Sequence, residues 1–208
     1  MPSMLQPIIK TWLALILFLS LDISGSVYAQ GATDTVSRLQ AALVNSMKEG
    51  NRLNYDGRFK QLEPVIEQSH DFSLIAKVVM GQYWSTLSPD QQNTFMTIFK
   101  DLSISMYANR FNGYDGEAFT ILSEKDIPRG QRKLVDTRFT KSDGEEIHFL
   151  YMLHQVADQW KIINITVNGV SDLALKRAEY GAILKKDNGF QELLQTLRSQ
   201  IDKNAHGQ

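Results

Sequence analysis

Residues 145–168 read Glu145-Glu146-Ile147-His148-Phe149-Leu150-Tyr151-Met152-Leu153-His154-Gln155-Val156-Ala157-Asp158-Gln159-Trp160-Lys161-Ile162-Ile163-Asn164-Ile165-Thr166-Val167-Asn168. Apolar side chains recur here at every second position on both sides of one short polar interruption. That period predicts strands at 145–155 and 160–168 turned by Ala157-Asp158. Asp143-Gly144 closes a hairpin to a preceding strand at 132–140, and another strand is expected at 117–123. Connections this short join antiparallel neighbours, so the sheet is a meander of about four strands. In the first of the quoted strands the odd positions Ile147, Phe149, Tyr151 and Leu153 are apolar, and the even positions add Leu150 and Met152. Both faces therefore look covered. Further packed structure is one explanation and an apolar ligand cavity is the other.

Upstream of the sheet the period is helical. Val36, Leu39, Leu43 and Met47 form a stripe that Gly50-Asn51 interrupts, and Tyr55, Phe59 and Leu62 form a second that is expected to turn at Pro64. Asp71 is placed to cap a helix carrying Phe72, Ile75, Val79 and Tyr83, with Gly81 inside it marking a close approach by another element. Ser88-Pro89-Asp90-Gln91 combines a capping serine, proline at the first helical position and glutamine three residues after the cap. The helix it opens presents Phe95, Phe99, Leu102 and Met106 and ends near Phe111, before Asn112-Gly113-Tyr114-Asp115-Gly116. Helices return at about 171–186 and 190–203, where Phe190, Leu193, Leu194, Leu197 and Ile201 share a face. Helices, then a meander, then helices predict an α+β fold with the helices packed on one face of the sheet around an apolar pocket.

The first 29 residues read differently. Lys10 precedes an uncharged run from Trp12 to Leu21, and Val27-Tyr28-Ala29 makes a small-residue exit, the pattern of a secretory signal peptide cut before Gln30. About a dozen apolar residues are too few for a membrane span of roughly 18–20. The remaining 179 residues suit a single domain with a single core, and the absence of cysteine means that an exported chain is stable without disulfides. The expected location is the periplasm, in soluble form. The formal charge is −1 and the basic residues are scattered, which argues against nucleic acid. Lys125, Arg129, Arg132 and Lys133 are a local exception, read as a solvated loop or as a contact with lipid headgroups or an acidic partner.

No catalytic constellation emerges, and neither a metal nor another cofactor is expected. His148 and His154 lie six residues apart on one strand face, roughly 20 Å at about 3.3 Å per residue, too far to share an ion. His70 and His206 stand alone in the sequence. Ser171 lacks a nucleophile elbow and reads as a helix cap, while Gly113 and Gly116 lack the spacing of a phosphate cradle. Asp115 and Glu117 read as exposed turn carboxylates.

Two segments bear a family resemblance. Asp71-Phe72-Ser73-Leu74-Ile75-Ala76 with Gly81, Trp84, Gln91, Phe95 and Phe99, followed by Tyr107-Ala108-Asn109-Arg110-Phe111-Asn112-Gly113-Tyr114, resembles the toluene-tolerance or MlaC family of periplasmic lipid-binding proteins. Trp160 through Gly169-Val170-Ser171, with Arg177 and Tyr180, resembles that family's closing strand and its turn into the C-terminal helix. The run from Tyr107 to Phe119, with Tyr151-Met152-Leu153 and Asp172-Leu173-Ala174, is most similar to the HpnM branch associated with hopanoid biosynthesis. Asn164 and Asn168 stand where relatives often carry acids, and Lys176 replaces a common aromatic.

The resemblance implies a carrier of phospholipid or hopanoid that serves membrane-bound subunits of an ABC-type lipid transport system. Lipid-contacting candidates are Phe139, Phe149, Tyr151, Leu153, Ile163, Ile165 and Val167 from the sheet, opposed by Val79, Phe95, Phe99, Met106 and Tyr107 from helices. Two alternatives compete. One is a lipid-modifying enzyme using a buried carboxylate such as Asp136, and the other is a ligand-free adaptor to transporter subunits.

Overall fold

The capping signals position the helices as their residues dictate. The computed structural model describes residues 31–207 apart from Asn51 and Arg129, so the signal-peptide reading of residues 1–29, the cleavage before Gln30 and the place of Arg129 in the basic group lie outside the described residues. Among the described residues there are six α-helices: α1 (Ala32–Lys48), α2 (Tyr55–Ser69), α3 (Phe72–Met80), α4 (Pro89–Arg110), α5 (Asp172–Leu184) and α6 (Gly189–Ala205). Asp71 Oδ1 accepts from Leu74 N at 2.9 Å to start α3. At the head of α4, Ser88 Oγ accepts from Gln91 N and Ser88 N donates back to Gln91 Oε1, closing a reciprocal pair. Ser171 Oγ accepts from Ala174 N to start α5.

The sheet is an antiparallel meander in the order β1-β2-β3-β4-β5, with β1 (Ala118–Ile127), β2 (Arg132–Thr140), β3 (Glu146–Val156), β4 (Gln159–Val167) and the two-residue β5 (Val170–Ser171). The first strand runs four residues beyond its expected end at 123, through a register shift between Ile121 and Ser123. A second shift decides the site. Tyr151 pairs with Ile165 and Leu153 with Ile162, so Ile163 is the additional residue of a bulge in β4. Above it Ile165 and Val167 join the side-chain row of Phe149 and Tyr151, and below it Trp160 and Ile162 do.

Three expectations are corrected. Pro64 does not end its helix, because α2 continues to Ser69 with Leu62 and Ile66 fully buried on either side of the proline. Pro64 itself is exposed, so the carbonyl it leaves unpaired faces water. Gly81 lies not inside α3 but at its end, with φ of +55°, and a 3-10 turn (Gly81–Thr86) follows. The close approach there comes from the Arg177 guanidinium, 3.6 Å from where a Cβ would stand. Finally, the second face of β3 is not buried: Leu150 and Met152 are half-buried among the cross-strand neighbours Asp136, Leu134, Thr166 and Asn164.

The apolar interior is also divided in two, where a single core was expected. One cluster lies between the sheet and helices α1, α2 and the C-terminal half of α4, including Leu39, Leu62, Ile104, Val135, Tyr151 and Leu153. The other is helical only, where Ile75, Val79, Phe95, Phe99, Tyr180 and Leu193 pack α3, α4, α5 and α6 together. The long α4 is shared by both.

Arg58, almost fully buried, ties the first cluster's outer end by donating to the Ala108 carbonyl at 2.8 Å and the Leu53 carbonyl at 2.8 Å. The same turn lies on the loop after α4 so closely that a Cβ at Gly50 would stand 2.0 Å from the Asn112 carbonyl oxygen. Two backbones must separate to admit a methyl group. Gly50→Ala is accordingly expected to destabilise the protein by about 2–3 kcal/mol in chemical denaturation. Gly113→Ala, which meets nothing within 4 Å, serves as its control.

Candidate lipid-binding cleft

Half of the helix-facing side of the sheet is filled by α1. Its Gln40 amide donates to Thr137 Oγ1 at 2.9 Å and to the Tyr151 hydroxyl at 3.4 Å, and Thr35 Oγ1 donates to the Trp160 carbonyl at 3.1 Å. These groups are buried and satisfied by one another, which fixes α1 across β2, β3 and β4. Burial pushes the Tyr151 hydroxyl up to about 12, against smaller opposing effects of its Gln40 and Thr137 hydrogen bonds, so it stays neutral.

The other half is left open beneath the C-terminal turns of α4. A cleft of about 320 Å³ lies there, within the range of small-molecule sites. Its walls are Met106, Tyr107 and Phe111 on α4 and its end, facing Phe139 on β2, Phe149 on β3 and Ile165 and Val167 on β4. Aromatic contacts hold these walls: Tyr107 stacks on Phe111 at 6.0 Å, Phe111 meets Phe139 edge-on at 6.0 Å, and Phe119 packs on Phe139 at 4.6 Å. Charged groups sit at the rim, namely Arg110 from α4, Lys141 beyond β2 and Asp172 at the start of α5. The floor is apolar and the edge is charged.

A smaller chamber of about 60 Å³ adjoins the cleft, behind Met106, Tyr107 and Ile165, which line both. His70, Phe99 and Ile163 reach this inner chamber, together with Asn164 and Lys176. Asn164 Oδ1 accepts from Ser171 Oγ at 3.0 Å and helps to shape the turn into α5. Asn168 Oδ1 accepts from His148 N at 2.9 Å and secures the preceding turn.

The structure thus brings Met106, Tyr107, Phe139, Phe149, Ile165 and Val167 together on the main cleft, and Phe99 and Ile163 on the chamber. Val79 and Phe95 are placed elsewhere, in the helical cluster, where Phe95 stacks on Phe99 at 5.6 Å and meets Tyr180 edge-on. Tyr151 and Leu153 lie in the sheet core, farther along β3 than Phe149 and at the end that α1 fills. Sequence reasoning missed Arg110, Phe111, Lys141, Ile147 and Asp172. Ile147 was legible from the β3 alternation, and Arg110-Phe111 from the segment that carries the family resemblance.

Asp136, the carboxylate on which the enzyme alternative rested, lies between the buried Val135 and Thr137 on its strand, so it projects from the opposite side of the sheet. Asp172, the acid that does border the cleft, is half exposed and paired with Lys176 Nζ at 3.0 Å. In the basic group, Lys133 is paired with Glu124 and Asp126 and stands over the Trp160 ring, so its charge is largely spoken for. Among the described residues no helix is long and apolar enough to cross a membrane.

Comparison with known proteins agrees with this architecture. The chain is 24% identical over 166 residues to the toluene tolerance protein ttg2D of Pseudomonas putida, covering 78% of this chain and 77% of that one. Its fold superposes with a TM-score of 0.73 and 20% identity on a phospholipid-binding protein from Ralstonia solanacearum solved in complex with a phospholipid, covering 85% of this chain and 98% of the other. The family model described as MlaC protein matches residues 35–199, from the first turn of α1 into α6 and so through every strand of the sheet, and the chain belongs to that family.

Proposed function

We propose that this protein is a periplasmic lipid carrier, the soluble component of an ABC-type lipid transport system, which holds phospholipid tails in the cleft and exchanges them with membrane-bound transporter subunits. On this reading residues 1–29 are the export signal and residues 30–208 are one lipid-binding domain. The observation that carries the proposal is the cleft's division into an apolar floor and a charged rim, with Arg110 and Lys141 at the edge. Space for on the order of ten methylene-sized groups, taking ~30 Å³ for each as for water, suits the inner part of one tail. At about 0.8 kcal/mol per buried CH₂, enclosing ten carbons stabilises the complex by ~8 kcal/mol relative to exposing them. The Arg110 guanidinium at the rim suits a phosphate that remains in water, while the Lys141 ammonium beside it is paired with Glu145.

Mass spectrometry of organic extracts from protein purified from its native compartment tests this directly. Phospholipid in stoichiometric amount is the expected result. Hopanoid as the main species would keep the carrier and change its cargo, while extracts without lipid would favour the adaptor reading.

A further inference from the structure

The inner chamber is chemically unlike the cleft it adjoins. Its wall includes Tyr107, His70, Asn164 and the Asp172–Lys176 ion pair. His70 Nδ1 lies 3.0 Å from the Ile66 carbonyl and 2.9 Å from Ser69 Oγ. Because a carbonyl only accepts, the network assigns the ring proton to Nδ1 and leaves Nε2 as an acceptor. Among the described residues Nε2 has no hydrogen-bond partner, and neither has the Tyr107 hydroxyl. The two rings are adjacent, with centroids 6.2 Å apart, and Phe72 stacks on the imidazole at 5.5 Å. A polar surface of this kind is a poor terminus for a hydrocarbon tail, since each unpaired group loses its hydration without return when a methyl group covers it.

Charge and size narrow what fits. The ammonium of Lys176 is answered by Asp172, and the imidazole is neutral, so the chamber has no net charge to attract an anion. A volume of about 60 Å³ takes one or two water-sized groups, too little for a phosphate with its substituents.

We propose that the inner chamber is a hydroxyl-binding subsite, in which Tyr107 and His70 hydrogen-bond an alcohol group carried by the buried part of an apolar ligand. The inference rests on the carrier reading and refines it: the preferred cargo is a hydroxylated lipid, either an acyl chain bearing a hydroxyl distant from its headgroup or a polycyclic alcohol.

Matched probes test it. The full mature protein, freed of endogenous lipid, is titrated with hexadecanoic acid and 16-hydroxyhexadecanoic acid by displacement of a fluorescent fatty acid. A parallel arm measures uptake of cholestanol against cholestane from phosphatidylcholine vesicles. The expected result is about tenfold tighter binding of the hydroxylated member in at least one arm, and the arm that shows it identifies the class of skeleton. Tyr107→Phe, which removes one oxygen and keeps the ring, is expected to reduce the ratio of the two affinities to less than threefold, whatever its effect on hexadecanoate binding itself. His70→Phe should act likewise. Should the latter fail to fold, Tyr107→Phe alone decides. Equal binding of both members in both arms overturns the subsite and leaves the carrier standing, as does a preference that survives Tyr107→Phe. Binding of no probe at all overturns both.

Discussion

Phe149→Asp is expected to empty the cleft without unfolding the protein. Phe149 stands on the cleft wall and is only half-buried, so a carboxylate there remains hydrated while no lipid is bound. A lipid tail entering the cleft must strip that water, and the floor beside it is apolar, formed by Ile147, Ile165 and Val167, while the cleft's cations Arg110 and Lys141 stand at the rim. The penalty is at least ~2 kcal/mol, which lowers occupancy by more than tenfold. Ile165→Asp should behave in the same way, because its side chain borders both the cleft and the inner chamber. Leu150→Asp is the control. Leu150 is the next residue on the same strand but projects from the opposite side of the sheet, opposite Asp136 and Thr166, so it should leave lipid content within twofold of the wild type. Lipid recovered per mole of folded protein, with thermal unfolding followed alongside, measures all three. Full occupancy in Phe149→Asp would place the cargo somewhere other than this cleft.

The contrast between these neighbours depends on an alternation that the sequence displays openly. Period two in β3 and the Ser88-Pro89-Asp90-Gln91 cap of α4 mark the strand that carries Phe149 and the helix that carries Met106 in the sequence itself, because both signals are local. What was not legible was non-local. Ile162 and Ile163 are equally apolar, so nothing in the pattern indicates which one the bulge displaces, and a strict alternation through Ile163, Ile165 and Val167 runs across it. Val79 and Phe95 carry the same helical stripe as Met106, yet a stripe shows only that a face is covered and not by what. Here α5 and α6 return to cover it and create a second cluster. The rim was hidden for a related reason. Arg110, Lys141 and Asp172 lie at the ends of three elements far apart in sequence, and only the meander's return brings those ends together. The same limit applied to His70, a single histidine between two helices with no sequence partner to mark it.

His70 supplies the other large effect, on stability against pH. Burial lowers its imidazole from 6.5 to about 4, outweighing the opposing influences of the Ile66 carbonyl and Asp172, with Lys161 adding a small further depression. The folded protein therefore keeps His70 neutral where the unfolded chain has already protonated it. Above pH 6.5 neither state binds the proton and the residue makes no pH-dependent contribution. As the pH falls below 6.5 the unfolded state gains a proton that the native state refuses, and stability drops until the folded value near 4 is reached. At 1.36 kcal/mol per unit the loss is about 2 kcal/mol at pH 5 and ~3 kcal/mol near pH 4. Glutamine does not titrate, so His70→Gln should lose about 2 kcal/mol less than the wild type between pH 7 and pH 5 in urea denaturation, whatever its stability at pH 7. Carboxylates such as Glu124, which desolvation raises but hydrogen bonds from Lys133 and Thr33 bring to a net lowering, contribute equally to both proteins and cancel in the comparison. Parallel pH profiles would mean that the imidazole protonates in the fold as readily as in water. Nε2 would then offer a ligand hydroxyl an acceptor only above about pH 6.5.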